Sequence, residues 1–294
     1  MNKPMLAIVF LSGLMLLIME SCATAGEDSN IEVKVRNAEN VEVKTTKSTN
    51  ETGKLIADWC SEDKEILFGN YVDAYILQNF ILLEDESIIK NIKRIGEKVA
   101  RASTRPHLQY HFKVLNSNDA NAFAGPGGYV YITTGLLREL DSEAEVAAIL
   151  AHEIGHVCER HAIRKLQNDQ NTKIFGNLLS IGAVVVVGAL TSQDTSVPSQ
   201  DLANAAGAAA YVATMVVSKG YGQSYEIKAD EEGAKFLIAS GYEGSGAVSA
   251  LDKLLQVENN REENVNFTFL STHPSTKYRI SKIKEFLNRP LTDQ

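Results

Sequence analysis

Basic charge is what this sequence is short of. Twenty-nine Lys and Arg stand against 37 Asp and Glu, for a formal net charge of -8 and a pI near 5.4. The chain therefore lacks the positive field that holds a phosphate backbone, and nucleic acid is excluded as the expected partner. Cysteine is also scarce, with three in all. Cys22 ends an N-terminal apolar run, which leaves Cys60 and Cys158 as one possible disulfide in an oxidising compartment. Cys158 lies in an apolar helical setting, where a buried free thiol is the expected state. Histidine numbers only six, and half of them fall in "AILAHEIGHVCERH", Ala148 to His161. The rest of the composition, 44% hydrophobic and 22% charged over 294 residues, is that of an ordinary globular chain of one or two domains.

The N terminus reads as an export signal. Lys3 precedes the apolar run "MLAIVFLSGLMLLIM", followed by Glu20, Ser21 and Cys22. The run is short and wrongly flanked for a spanning helix. A small residue followed by Cys resembles a bacterial lipoprotein cleavage site, with Cys22 as the lipidated terminus, although Met19 and Glu20 depart from the usual residues there. The expected organisation is a signal over 1–22, a polar tether over 23–54 too poor in large apolar residues to fold alone, and one domain over 55–294.

Within that domain, "DKEILFGNYVDAYILQNF" and "ESIIKNIKRIGEKVARAS" carry apolar residues at helical spacing, and "LQYHFKVLNS" alternates as a strand. Gly125, Pro126, Gly127 and Gly128 predict a tight turn into the β-rich run Tyr129 to Thr133, as a hairpin or an edge strand. Ser142 and Glu145 have capping-box spacing and open a helix expected to run through His161. The sum is a mainly helical α+β fold with a small sheet.

His152 and His156 on that helix are one turn apart on one face, so both imidazoles reach the same ion. With Glu153 beside them they form H-E-x-x-H, in which Zn²⁺ takes the histidines and the Glu serves as general base. A catalytic zinc needs a third protein ligand and an open position. His161 falls on the opposite face for as long as the helix continues, and the longer motif ending in Gly and His is absent, with Glu159 and Ala162 in those places. Downstream, "SYEIKADEEGAKFLIASGY" predicts a second amphipathic helix with Glu226 and Asp230 four apart. Glu226 can ligate, and Asp230 can accept the spare N–H of a ligating histidine, with His152 as the expected partner. A solvated acidic face is the other reading, and Glu231 and Glu232 alongside make it credible.

The stretches "NAFAGPGGYVYITTGLL", "EAEVAAILAHEIGHVCERH", "YEIKADEEGAKFLIASGY" and "THPSTKYRI" together resemble the successive motifs of the zinc endopeptidase family typified by the CAAX prenyl protease, HtpX and BepA. They follow the family's order from about Glu62 onward. The resemblance implies a zincin-type domain in which His152, His156 and Glu226 bind one zinc, Glu153 is the base and Asp230 supports a ligand. It also brings His273 and Arg279 to the active site. His273 would donate to the oxyanion or cap the metal at rest, the donor role being the expected one, and Arg279 would orient a backbone or carboxylate group. The strand at Asn121, Ala122, Phe123 and Ala124 would take a polypeptide substrate as an added antiparallel strand.

Two apolar runs between 174 and 217, "IFGNLLSIGAVVVVGAL" and "LANAAGAAAYVATMVV", suggest a helical hairpin that contacts a membrane, covers the site or packs as core. About 20 residues follow His273, too few for the 34 of a tetratricopeptide repeat, so none is expected. The function expected from all of this is an exported, envelope-anchored zinc endopeptidase acting on misfolded or membrane-associated proteins. The alternative is an assembly factor or chaperone with a largely closed metal site.

Overall fold

The computed structural model describes residues 33–36, 42–45, 62–168, 207, 209–260 and 268–289. The chain divides into two units, Met1–Leu55 and Ile56–Gln294. In the first, β1 (Val33–Arg36) pairs antiparallel with β2 (Glu42–Thr45), so the stretch expected to be a plain tether carries a short ribbon. The signal segment, Cys22, Cys60 and most of the 174–217 hairpin lie outside the described residues.

The second unit begins with α1 (Glu62–Asn79) and α2 (Glu86–Arg101). α2 starts where Asp85 accepts from the backbone N–H groups of Ser87 and Ile88, a side-chain cap for otherwise orphaned donors. Three strands follow, β3 (His111–Leu115), β4 (Ala122–Ala124) and β5 (Tyr129–Thr133). β4 and β5 form a hairpin around the turn Pro126–Gly128, in which Gly127 takes φ 73° and a Cβ would meet the Ile66 backbone at 2.8 Å. β3 joins β5 in parallel, so the order is β3-β5-β4. The run Tyr129–Thr133 is thus the centre of the sheet and not its edge; the outer strand of the hairpin is β4.

All five residues of β5 are buried, as for a strand covered on both faces. Strand alternation sorts the side chains into two cores. Val114, Ala122, Ala124, Val130 and Ile132 join a core with α2 and the later helices, whereas Leu115, Phe123, Tyr129 and Tyr131 face Phe68, Val72 and Ile76 of α1. Asp73 fastens α1 to this sheet, pairing with Lys113 Nζ at 2.6 Å and accepting from Tyr131 Oη at 2.8 Å. The second core also takes Ala209, Val212, Ala213, Met215 and Val216. Of the membrane, lid and core readings of the apolar hairpin, the described end of its second run is core. Among the described residues no helix is long and apolar enough to cross a membrane.

After the short α3 (Thr134–Arg138), α4 (Glu143–Cys158) runs through the middle of the unit, buried on every side from Ala147 to Val157. Ser142 Oγ caps it by accepting from Glu145 N at 3.2 Å. The helix stops at Cys158 and does not continue through His161, because Arg160 adopts a left-handed φ of 53° and α5 (His161–Asn168) starts a new direction. Cys158 is a free, partly buried thiol 3.4 Å from Tyr110 Oη. Helical residues 209–214 lead into a π-turn (Met215–Lys219), then come α6 (Gln223–Ala239), α7 (Ser245–Asn260), α8 (Thr268–Thr272) and α9 (Thr276–Leu287).

α4 and α6 pack backbone to backbone. A Cβ on Gly155 would stand 2.7 Å from Ala229 O, and one on Gly233 would stand 2.9 Å from His152 N. The pairings 152 with 233 and 155 with 229 make the two helices antiparallel. Gly155→Ala is expected to destabilise the fold by roughly 1–3 kcal/mol, the cost of overpacking a tight contact. An unchanged denaturant midpoint would show that the crossing has slack.

Candidate metal centre

The close crossing sets Glu226 and Asp230, one turn apart on α6, against the face of α4 that carries His152 and His156. All four are buried, and His273, at the α8–α9 junction, completes the group from a third direction. The ligand-type atoms of His152, His156, Glu226 and His273 all lie within 4.8 Å of one another. His156 Nε2 is 3.0 Å from His152 Nε2, and His273 Nδ1 is 3.3 Å from His152 Nε2 and 3.0 Å from Glu226 Oε2. Glu226 Oε1 is 3.5 Å from His156 Nε2. Four donors converging on one point at such spacings are the nitrogen and oxygen set that suits a tetrahedral dication.

Two further observations fit a cation there. Glu226 Oε1 and both oxygens of Glu153 are buried without any hydrogen-bond partner, a costly state for carboxylates in a dry interior. The buried carboxylates of Glu153, Glu226 and Asp230 also outnumber the one guanidinium buried among the described residues, that of Arg279. Burial pushes the Glu153 carboxyl up from its ordinary value. Burial acts the same way on Glu226, but the surrounding histidines, His273 foremost, outweigh it and hold this carboxyl well below the usual range.

A second layer holds these groups. Asp230 Oδ1 faces His152 Nδ1 at 2.8 Å. Arg279 lies behind it, donating to both Asp230 oxygens at 2.7 Å as a fork, to His273 O at 3.2 Å, and approaching Glu226 Oε2 at 3.2 Å. Burial and the Arg279 charge disfavour a proton on His152, yet Asp230 prevails and raises it to about 9. The structure thus brings together His152, Glu153, His156, Glu226, Asp230, His273 and Arg279. His273, expected as a donor beside the developing charge, has its Nδ1 among the ligand atoms, while its Nε2 lies 3.2 Å from Ala122 O.

Ala122, Phe123 and Ala124 form β4, with Asn121 just before it, and all four are buried. The outer edge of this strand is engaged by side chains: His273 at Ala122 O, and Tyr221 Oη donating to Ala124 O at 3.4 Å. Asn121 Nδ2 donates to Val217 O at 3.2 Å. Tyr221 was not apparent from the sequence; its ring stacks on His156 with centroids 4.3 Å apart and planes at 20°. Nor was the contact of His161 Nδ1 with His156 Nδ1 at 2.8 Å, since an unbroken helix would carry His161 to the far face. Gly155, between His152 and His156, was the available signal for the helix crossing.

Two histidines a turn apart on a central helix, a carboxylate from the helix packed across it and a Glu without a hydrogen bond beside them are the arrangement expected of a metallopeptidase centre. The chain belongs to peptidase family M48, whose profile matches residues 88–287. It is 28% identical to the beta-barrel assembly-enhancing protease of Yersinia pestis over 229 residues, 78% of this chain and 45% of that protein. It is 27% identical to the protein of that name in Escherichia coli K12 over 79% of this chain and 46% of the relative. Identity to the mitochondrial metalloendopeptidase OMA1 of Arabidopsis thaliana is 27% over 67% of this chain and 36% of the relative. The chain therefore spans about half the length, or less, of these curated relatives.

Among the described residues, Arg279 and His152 are the only cationic groups in contact with the buried Asp230 carboxylate. Arg279→Leu is expected to lower the unfolding free energy by about 3–5 kcal/mol, the usual result of stripping one partner from a buried ion pair. Chemical denaturation showing a loss below about 1 kcal/mol would mean that Asp230 is satisfied without it.

Proposed function

We propose that this chain is a zinc-dependent endopeptidase of the cell envelope, exported by its N-terminal signal and anchored through Cys22, which cleaves misfolded or membrane-associated polypeptides. The observation that carries the peptidase reading is Glu153, wholly buried beside the ligand cluster with neither oxygen hydrogen-bonded and with His273 Nε2 at 3.6 Å from Oε1. A binding protein has no use for such a group, whereas a hydrolase needs a proton acceptor next to its water. The envelope assignment rests on the signal-like N terminus and on relatives named for β-barrel assembly.

In this reading His152, His156 and Glu226 hold one zinc per chain. The ion, when bound, supplies Lewis acidity that polarises the scissile carbonyl and eases deprotonation of water. Glu153 takes the proton from the attacking water and passes it to the leaving amine, a task suited to a carboxyl whose pKa burial raises. Asp230 fixes His152 by accepting its Nδ1–H, and Arg279 holds Asp230 and the His273 carbonyl in place. The substrate adds to the outer edge of β4 through main-chain hydrogen bonds, which tolerate many sequences. Entry requires His273 and Tyr221 to leave the Ala122 and Ala124 carbonyls.

His273 in this conformation acts as a closing ligand, because its Nδ1 stands as near Glu226 and His152 as the other ligands do. Once displaced by substrate, the same ring is free to meet the oxyanion. Zinc content and caseinolysis, each with and without chelator, test the set. Glu226→Ala is expected to lose zinc, since two histidines leave the ion under-coordinated. Glu153→Gln should keep zinc and lose cleavage; proteolysis near that of the parent would remove it as the base. His273→Ala should raise activity if closing dominates, whereas a fall of roughly 10²-fold or more would give priority to the donor role. Zinc binding without cleavage in every variant would favour the assembly-factor reading.

A further inference from the structure

His161 is the one buried histidine to which the proposed reaction gives no task. The chain goes to some length to place it. Arg160, at φ 53°, is a non-glycine residue in the left-handed region, where a Cβ costs energy and neighbours must over-determine the conformation. They do so here. Arg160 Nε lies 2.8 Å from Glu65 Oε2, and Glu65 also accepts from Arg105 at 3.1 and 3.0 Å. Arg105 in turn donates to Val157 O at 3.2 Å, in the last turn of α4. This corner folds the start of α5 back onto α4 and brings the two Nδ1 atoms of His156 and His161 to 2.8 Å, with the rings at 72°. Tyr225 meets the His161 ring edge to face at 4.7 Å.

Two imidazole nitrogens at that separation share one hydrogen, so one ring donates and the other accepts. His156 turns Nε2 toward the ligand cluster. A ligand role keeps that nitrogen bare and puts the His156 hydrogen on Nδ1, which fixes the direction: His156 Nδ1–H donates and His161 Nδ1 accepts. His161 then carries its own hydrogen on Nε2.

We propose that His161 is a positioning residue that locks the tautomer and ring orientation of His156 for metal binding, an inference that rests on the ligand role of His156. The two ligating histidines are thereby held unlike one another. His152 leans on a carboxylate, His156 on a neutral imidazole, and a neutral acceptor orients its donor while pushing less electron density toward the ion than a carboxylate does.

Zinc affinity of the full chain, read by competition with a chromophoric chelator at neutral pH, tests the assignment. His161→Leu should weaken zinc by roughly 10- to 100-fold, the usual cost of losing such a support, and His161→Asn, whose side-chain oxygen can take the place of Nδ1, should recover most of it. If Glu226→Ala binds zinc as the parent does, the metal-site reading itself fails. If Glu226→Ala loses zinc while His161→Leu stays within about twofold of the parent, the site stands and the role of His161 is wrong. Equal losses in the Leu and Asn variants would mean packing and not the hydrogen bond, and would also overturn it. Should His161→Leu not fold, nitrogen-labelled, zinc-loaded parent protein decides: the His156 Nδ1–H resonance should show scalar coupling across the hydrogen bond to a His161 nitrogen, and its absence refutes the proposal.

Discussion

The close antiparallel crossing of α4 and α6 is the constraint on which the rest of the structure depends. Gly155 and Gly233 remove the side chains that would hold the helices at ordinary separation, and each backbone rests on the other. At that distance a carboxylate as short as Asp230 spans to His152, and Glu226 reaches the pair of histidines without leaving its helix. The spacing of the candidate ligands along α4 follows from the helical repeat, but their spacing across to α6 follows from glycine. Two rigid helices fixed at two points leave little freedom to the side chains between them, which is the preorganisation a metal site requires.

Burial makes this arrangement expensive and also explains its second layer. Seven titratable or charged side chains, from three helices and the α8–α9 junction, meet in an interior where an unpaired charge is strongly unfavourable. Arg279 meets Asp230 with a two-pronged contact, so the carboxylate that supports His152 is itself neutralised and held. Glu153 has no such partner. Two acidic groups in one interior thus differ, Asp230 gripped by Arg279 and Glu153 without a hydrogen bond, and the proposed roles of support and proton exchange follow that difference.

Much of this was legible because it follows from local rules. The helical period marked α1, α2 and α6, Ser142 marked the start of α4, and the four-residue spacing of His152 and His156 needed only the geometry of a helix. The end of α4 was not legible. Arginine carries no preference for the left-handed region, and what holds Arg160 there is Glu65, nearly a hundred residues earlier, together with Arg105. That one misplaced boundary hid the approach of His161 to His156. The position of β5 was hidden for a related reason: a strand buried on both faces shows no alternation that separates the centre of a sheet from its edge. The ribbon in the polar stretch pairs through backbone groups, which composition does not report.

Closure of the site arises from two segments that brace each other. Gly220 presses on the backbone of Thr272, where a Cβ would be only 1.5 Å from the carbonyl oxygen, and the next residue of each segment, Tyr221 and His273, occupies a carbonyl of β4. The π-turn that ends at Lys219 and the α8–α9 junction are therefore not independent covers. The Gly220–Thr272 backbone contact ties the two segments together, and Tyr221 also covers one face of the His156 ring. On the proposed pairing of substrate with β4, an incoming strand would compete with both contacts at once, so that main-chain pairing along this edge and release of His273 from the cluster would be coupled.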